Sequence, residues 1–322
     1  MSSSLILKKK GAWVLVIWGL SKYLIGALAT AFSLKNVKTK YPIILMVADM
    51  PDFKNFETIC NKVFDSIVHI DLQRIKTIPP KTQRQKELYA GYFQETVITK
   101  WSCLLLKEYE KVCFLDSDII FQHSADELFK LNAPAGCFST PFMKPYAHKG
   151  GIDNPYGILK HGQEIKPSTV LAGLKNSSSV NGSIVLLEPN VDDFKRIMKM
   201  VTEKKDGYGH PGSYSTVDEQ AISEYYACEG KTWSYIHQIF EAIPWKWNWL
   251  PNMKPDLTRL IGLHYYHDKP WIKGGEGELW DDTKIWWYVF VGVWKILDSK
   301  EKKLITDMLG LDFIKGKLKI IS

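Results

Sequence analysis

Cysteine is scarce in this 322-residue chain and odd in number: Cys60, Cys103, Cys113, Cys137 and Cys228. Most of the five lie inside apolar segments. That pattern fits reduced core thiols of a cytosol-like compartment and excludes a disulfide framework. Zinc-finger spacings and RNA-binding signatures are both missing, so nucleic acid is excluded as the expected partner despite a formal charge of +7. No internal repeat or low-complexity tract is present, which excludes a repeat architecture. The apolar stretch 11–34 lacks the continuity of a membrane span. It follows Lys8-Lys9-Lys10 as a signal anchor would, yet Ser21-Lys22 splits it near its middle, where a lysine is costly in a bilayer. What is abundant is aromatic residue: 13% of the chain, with 12 Trp. That suits a large core and sugar-stacking surfaces. A chain of this length buries roughly 75% of its unfolded surface and needs no covalent staples.

Taken in order, 12–18 reads as a buried strand, Gly19–Lys22 as a turn and Tyr23–Ser33 as a helix. The apolar strand 42–49 then completes a βαβ unit, and this continuity favours a soluble reading of the segment over an anchor. Helical spacing follows at 53–64, a third strand at 66–72, and a basic, Pro-containing loop at 73–88. A helix is expected from Thr96 to Glu108. Further on come a strand at 137–142, an irregular stretch at 143–179 and the strand VNGSIVLLEPN at 180–190. Val191–Glu203 is an amphipathic helix. A Gly-rich loop, 206–213, precedes Ser215-Thr216-Val217-Asp218-Glu219-Gln220, where Ser or Thr caps another helix. Trp286, Trp287 and Trp294 lie in a C-terminal apolar helix and are expected to face the core, a membrane-surface helix being the alternative.

One stretch carries chemistry on its face: KVCFLDSDIIF, residues 111–121. Asp116-Ser117-Asp118 interrupts an otherwise apolar run of the kind found in a central strand covered on both faces. Two carboxylates at such a strand end are costly to desolvate unless a cation meets them. With one residue between them, they can offer oxygens to one divalent ion, and that ion can bridge a substrate diphosphate. The plainer alternative is a turn whose carboxylates cap backbone N–H groups.

With the other pieces in order, the chain resembles the family 8 glycosyltransferases, the glycogenin-like retaining enzymes that use UDP-sugars. The resemblance runs from about residue 12 to 271. Strand 12–18 followed by Tyr23-Leu-Ile-Gly-Ala-Leu is similar to the family's first βα unit, where a Tyr stacks on uracil. Lys100 stands sixteen residues before Asp116, the family's interval for a lysine near the donor sugar. Leu115-Asp-Ser-Asp resembles the metal strand, and VNGSIVLLEP the sugar pocket containing Asn181 and Gly182. Asp218-Glu219-Gln220 opening a helix, and His264 with Lys269-Pro270-Trp271, complete the set. Two departures stand out. The His-to-Lys interval is one residue shorter than the family's and has no glycine, and no Tyr lies between residues 237 and 263, so self-glucosylation there does not carry over.

The resemblance implies a single α/β domain of the GT-A type, a Rossmann-like mixed sheet flanked by helices, spanning 11–275. An N-terminal tail (1–10) and a C-terminal helical extension (276–322) lie outside it. It implies retaining transfer of glucose or galactose from a UDP-sugar to a carbohydrate or glycan-bearing acceptor, in the cytoplasm, with a homodimer left open. Asp116, Asp118 and His264 become the metal ligands. Two oxygens and one imidazole suit Mn²⁺ better than Ca²⁺, with Mg²⁺ the alternative. Lys269 and Lys100 serve the leaving group, and Gln220 and Glu219 face the reacting sugar. Tyr23, Ser117, Asn181, Gly182 and Lys269 hold the nucleotide sugar. The rivals are a catalytically inactive sugar-nucleotide-binding or scaffold protein and a chain anchored by residues 11–34.

Overall fold

The computed structural model describes residues 8–19, 22–81, 83, 86, 91–138, 159–175, 179–209, 215–243, 256–266, 269–272, 281–310 and 314. The elements in chain order are β1 (Ala12–Trp18), α1 (Lys22–Asn36), β2 (Ile43–Ala48), α2 (Glu57–Val63), β3 (Ser66–His69), α3 (Tyr92–Thr96), β4 (Val112–Leu115), β5 (Ile119–Phe121), β6 (Ala135–Phe138), β7 (Glu164–Ile165), α4 (Pro167–Lys175), β8 (Val180–Leu187), α5 (Val191–Thr202), α6 (Val217–Cys228), β9 (Trp233–Tyr235), β10 (Gly262–His264), α7 (Asp281–Ile296) and α8 (Ser299–Leu309). Eight strands form one mixed sheet in the order β3-β2-β1-β4-β8-β6-β9-β7, and β10 and β5 form a two-stranded sheet. The mixed α/β architecture expected from the sequence is therefore present.

The chain divides into two compact units. The first comprises Met1–Val14, Ile70–Phe114 and Leu128–His237. Here β6 runs antiparallel to β8 and parallel to β9, and β7 closes the edge antiparallel to β9. β8 is buried from Gly182 onward, as a strand covered on both faces should be. The helix expected from Thr96 to Glu108 is present in 3₁₀ form and ends earlier: α3 stops at Thr96, and Val97–Leu105 is a 3₁₀ helix. The Thr96 hydroxyl donates back to the Tyr92 carbonyl at 2.6 Å, and β-branched Val97, Ile98 and Thr99 follow at once, which weakens the α form. Three residues per turn then align Val97, Lys100 and Cys103 in one row. The irregular stretch expected at 143–179 is also corrected in part, since β7 and α4 occupy 164–175. Residues 139–158 lie outside the described set.

The second unit comprises Leu15–His69, Leu115–Glu127 and Gln238–Ser322. β2 and β3 pair in parallel, and β2 is buried along its whole length. α1 is buried almost all round, with Leu24, Ile25, Ala27, Leu28 and Ala31 fully covered, so it behaves as a core helix and not as an amphipathic surface one. α7 packs on it. Phe32 lies against Gly292, where a Cβ would meet the ring at 2.2 Å. Trp286 and Trp287 are buried, as expected, whereas Trp294, expected to face the core with them, is only half-buried. Among the described residues no helix is long and apolar enough to cross a membrane.

Candidate active site

The second unit holds the carboxylate pair. β4 delivers Asp116 at its end, Ser117 turns, and Asp118 leads into β5. β10 pairs antiparallel with β5 in a register that sets His264 opposite Ile119, one residue from Asp118. Strand pairing alone thus brings together residues distant in sequence. One ligand atom from each of Asp116, Asp118 and His264 lies within 4.8 Å of the others. His264 Nε2 faces Asp118 Oδ1 at 3.4 Å, and both side chains are nine-tenths buried or more. Apart from that contact, Asp118 Oδ1 has no hydrogen-bond partner among the described residues, and neither has His264 Nδ1. One buried and one half-buried carboxylate beside a buried imidazole, with a buried carboxylate oxygen left without a hydrogen bond, are a donor set that fits a hard or borderline divalent cation.

Lys269 donates to Asp118 Oδ2 and to the carbonyls of Tyr265 (2.8 Å) and Tyr266 (3.1 Å). Burial alone would raise the Asp118 carboxyl, but the charges of Lys269 and His264 outweigh it and hold Asp118 well below the usual carboxylate range. Burial likewise opposes the charged form of Lys269, and Asp118 overrides it, so the ammonium stays protonated. Tyr23, half-buried at the start of α1, meets Trp271 edge-on at 6.3 Å. Beneath the turn, Gly26 of α1 lies so close that a Cβ would sit 2.2 Å from the Ser117 carbonyl oxygen.

The first unit holds the remaining sequence-predicted residues. Lys100 Nζ lies 3.2 Å from Asp218 Oδ2, the two side chains 9% and 0% exposed. Trp101 Nε1 donates to the Asp218 carbonyl at 3.0 Å. Glu219 bridges two elements. One of its oxygens accepts the Gly182 N–H of β8 at 2.8 Å, and the other accepts the Thr216 N–H at 3.0 Å, completing a capping box at the start of α6. Burial, then the Asp218 charge, push its carboxyl up to about 7 against those two hydrogen bonds and Lys100. Gln220 is fully buried and donates from Nε2 to the Ser215 carbonyl at 2.7 Å. Asn181 Oδ1 accepts the Ser183 N–H at 3.1 Å.

Tyr23, Asp116, Ser117, Asp118, His264 and Lys269 therefore cluster within one unit, and Lys100, Asn181, Gly182, Glu219 and Gln220 within the other. Sequence reasoning named Asp218 within the Asp218-Glu219-Gln220 match but gave it no role of its own. Now the buried counter-ion of Lys100, it sits where a Cβ on Gly182 would come within 2.9 Å of its Oδ2.

This architecture is the GT-A glycosyltransferase fold. The galactosyltransferase LgtC, solved with donor and acceptor sugar analogues, superposes with a TM-score of 0.53 at 14% identity over 90% of this chain and 98% of its own. GlyE of Streptococcus pneumoniae does so at 0.52 and 13% over 95% of this chain and 64% of its own. Within that class, residues 15–141 match the model of glycosyl transferase family 8, which bears out the family resemblance read from the motifs. An uncharacterised protein of Acanthamoeba polyphaga mimivirus is 31% identical over 194 residues, 60% of this chain. The chain spans 60% of that relative's length. Galactinol synthase 2 of Arabidopsis thaliana is 22% identical over 88% of this chain and 81% of its own.

Proposed function

We propose that the chain transfers a hexose, glucose or galactose, from a UDP-sugar to a carbohydrate or glycan-bearing acceptor, with retention at the anomeric carbon. The observation that carries this reading is the convergence of Asp116, Asp118 and His264 with Lys269 docked on Asp118. Asp116, Asp118 and His264 would hold the cation, Mn²⁺ in preference to Mg²⁺. When bound, that cation supplies positive charge to the departing diphosphate. Lys269 is the second positive charge for the same purpose, already desolvated and aimed by two backbone carbonyls, so little reorganisation is needed as charge develops. The similarity to a galactinol synthase and to a galactosyltransferase supports a hexose donor.

The sugar end falls to Gln220 and Asn181. Both oxygens of Glu219 already accept backbone N–H groups, which leaves it poorly placed as a nucleophile. Gln220 is an amide and a poor nucleophile as well. A covalent glycosyl-enzyme is therefore disfavoured, and we assign a same-face substitution through an oxocarbenium-like state, with the Gln220 amide stabilising developing positive charge. Glu219 acts as the tie that holds Gly182 and the start of α6.

UDP binding measured calorimetrically with and without Mn²⁺ tests the reading. Asp116→Asn and Asp118→Asn are each expected to abolish Mn²⁺-dependent UDP binding while the fold persists. Wild-type UDP affinity in either variant would refute the metal assignment.

A further inference from the structure

The residue that follows ligand His264 makes three contacts that together frame the metal half of the site. Tyr265 donates its N–H to the Asp118 carbonyl at 2.9 Å, and its own carbonyl accepts the Lys269 ammonium at 2.8 Å. Its hydroxyl donates to the Asp282 carbonyl in the first turn of α7 at 2.6 Å. The side chain is 3% exposed. A few residues on, Trp271 lies against Trp286 with centroids 5.2 Å apart, so α7 meets this segment at two points.

We propose that Tyr265 is a positioning residue: through its hydroxyl, α7 fixes the distance between Asp118 and Lys269 and so sets the affinity of the centre for its cation. The argument is geometric. The backbone of Tyr265 touches both the carboxylate residue and the ammonium, and its only side-chain polar group is tied to a helix outside the segment that resembles family 8. A phenylalanine would fill the same volume but release the tie to the Asp282 carbonyl. Partners that orient metal ligands in this indirect way typically change metal affinity by about 10- to 100-fold when removed.

The inference rests on the metal reading above, and the experiment separates the two. Mn²⁺ is titrated into the full chain with UDP present, and free Mn²⁺ is read by electron paramagnetic resonance. Tyr265→Phe is expected to weaken Mn²⁺ binding about tenfold, at the lower end of that range, with circular dichroism unchanged. Ile305→Ala, a core truncation in α8, should lower the melting temperature and leave Mn²⁺ affinity as in wild type, so lost stability alone does not mimic the effect. Should Tyr265→Phe not fold, Trp286→Leu removes the ring that lies against Trp271, the other point at which α7 meets this segment, and is expected to weaken Mn²⁺ binding severalfold if α7 anchors the centre. Wild-type Mn²⁺ affinity in a folded Tyr265→Phe overturns the positioning role; where Trp286→Leu stands in, wild-type affinity overturns α7 as the anchor and the role with it. Wild-type chain that binds no Mn²⁺, or Asp118→Asn that binds it normally, overturns the metal reading and the inference with it.

Discussion

Adding one methyl group to Gly26 should damage both the stability of the second unit and its proposed metal site. In an exposed helix interior, Gly→Ala stabilises by about 1 kcal/mol, because glycine has more backbone entropy to lose. At Gly26 the added Cβ would lie 2.2 Å from the Ser117 carbonyl oxygen and 2.5 Å from Trp271 Cη2. A backbone carbonyl cannot rotate away as a side-chain tip can, so the Asp116–Asp118 turn or α1 must move. Overpacking of this kind costs about 1–3 kcal/mol and more where backbone shifts. The propensity gain offsets part of it, and the expected net is a loss of roughly 1–2 kcal/mol. Urea denaturation followed by tryptophan fluorescence would read this as a lower midpoint at unchanged slope. Mn²⁺ affinity should fall as well, since Ser117 lies between two of the ligands. A Gly26→Ala chain as stable as wild type, or more so, would refute the close approach of α1 to the turn.

Other perturbations separate the roles in the first unit. Lys100→Met strands the fully buried Asp218 carboxylate and should cost about 3–5 kcal/mol in urea unfolding, with Lys100→Met/Asp218→Asn recovering part of the loss. No recovery would mean that the pair is not coupled. Glu219 has a folded pKa of about 7 against an ordinary 4.5, so between these values the folded chain holds a proton that the unfolded chain releases. Its contribution to stability is present below pH 4.5, is lost as pH rises to about 7, and changes no further above that. Glu219→Gln should flatten that part of the stability profile; an identical slope in wild type and variant would contradict the assignment. Gln220→Ala should lower turnover about ten- to thousandfold with donor affinity little changed, the range for one preorganised stabilising group. A pure loss of donor affinity would instead make Gln220 a binding residue.

Much of the metal half was legible because it breaks a pattern. Two aspartates inside the apolar run 112–121 demand a partner, and β1, α1 and β2 announce themselves by their apolar runs. His264 was legible only through its spacing to Lys269-Pro270-Trp271, because the register that brings it beside Asp118 is a tertiary fact. The segment 97–105 was legible as a helix but not as a 3₁₀ one, because nine residues are too few to separate a period of 3.0 from one of 3.6. Asp218 was legible only as part of the Asp218-Glu219-Gln220 helix start, without a role of its own. Nothing local shows that Lys100 meets it, or that the Tyr265 hydroxyl lands on a helix beginning at Asp281.

The central claim is hexosyl transfer with retention, and proton NMR of the first product tests it most directly. The chain is incubated with UDP-glucose or UDP-galactose and Mn²⁺, and the anomeric signal is followed before mutarotation or further transfer obscures it. The account predicts Mn²⁺-stimulated loss of the donor and an α-configured anomeric proton in the first product, with Asp118→Asn silent. A β-configured first product, or a glycosyl ester trapped on Glu219, would contradict it.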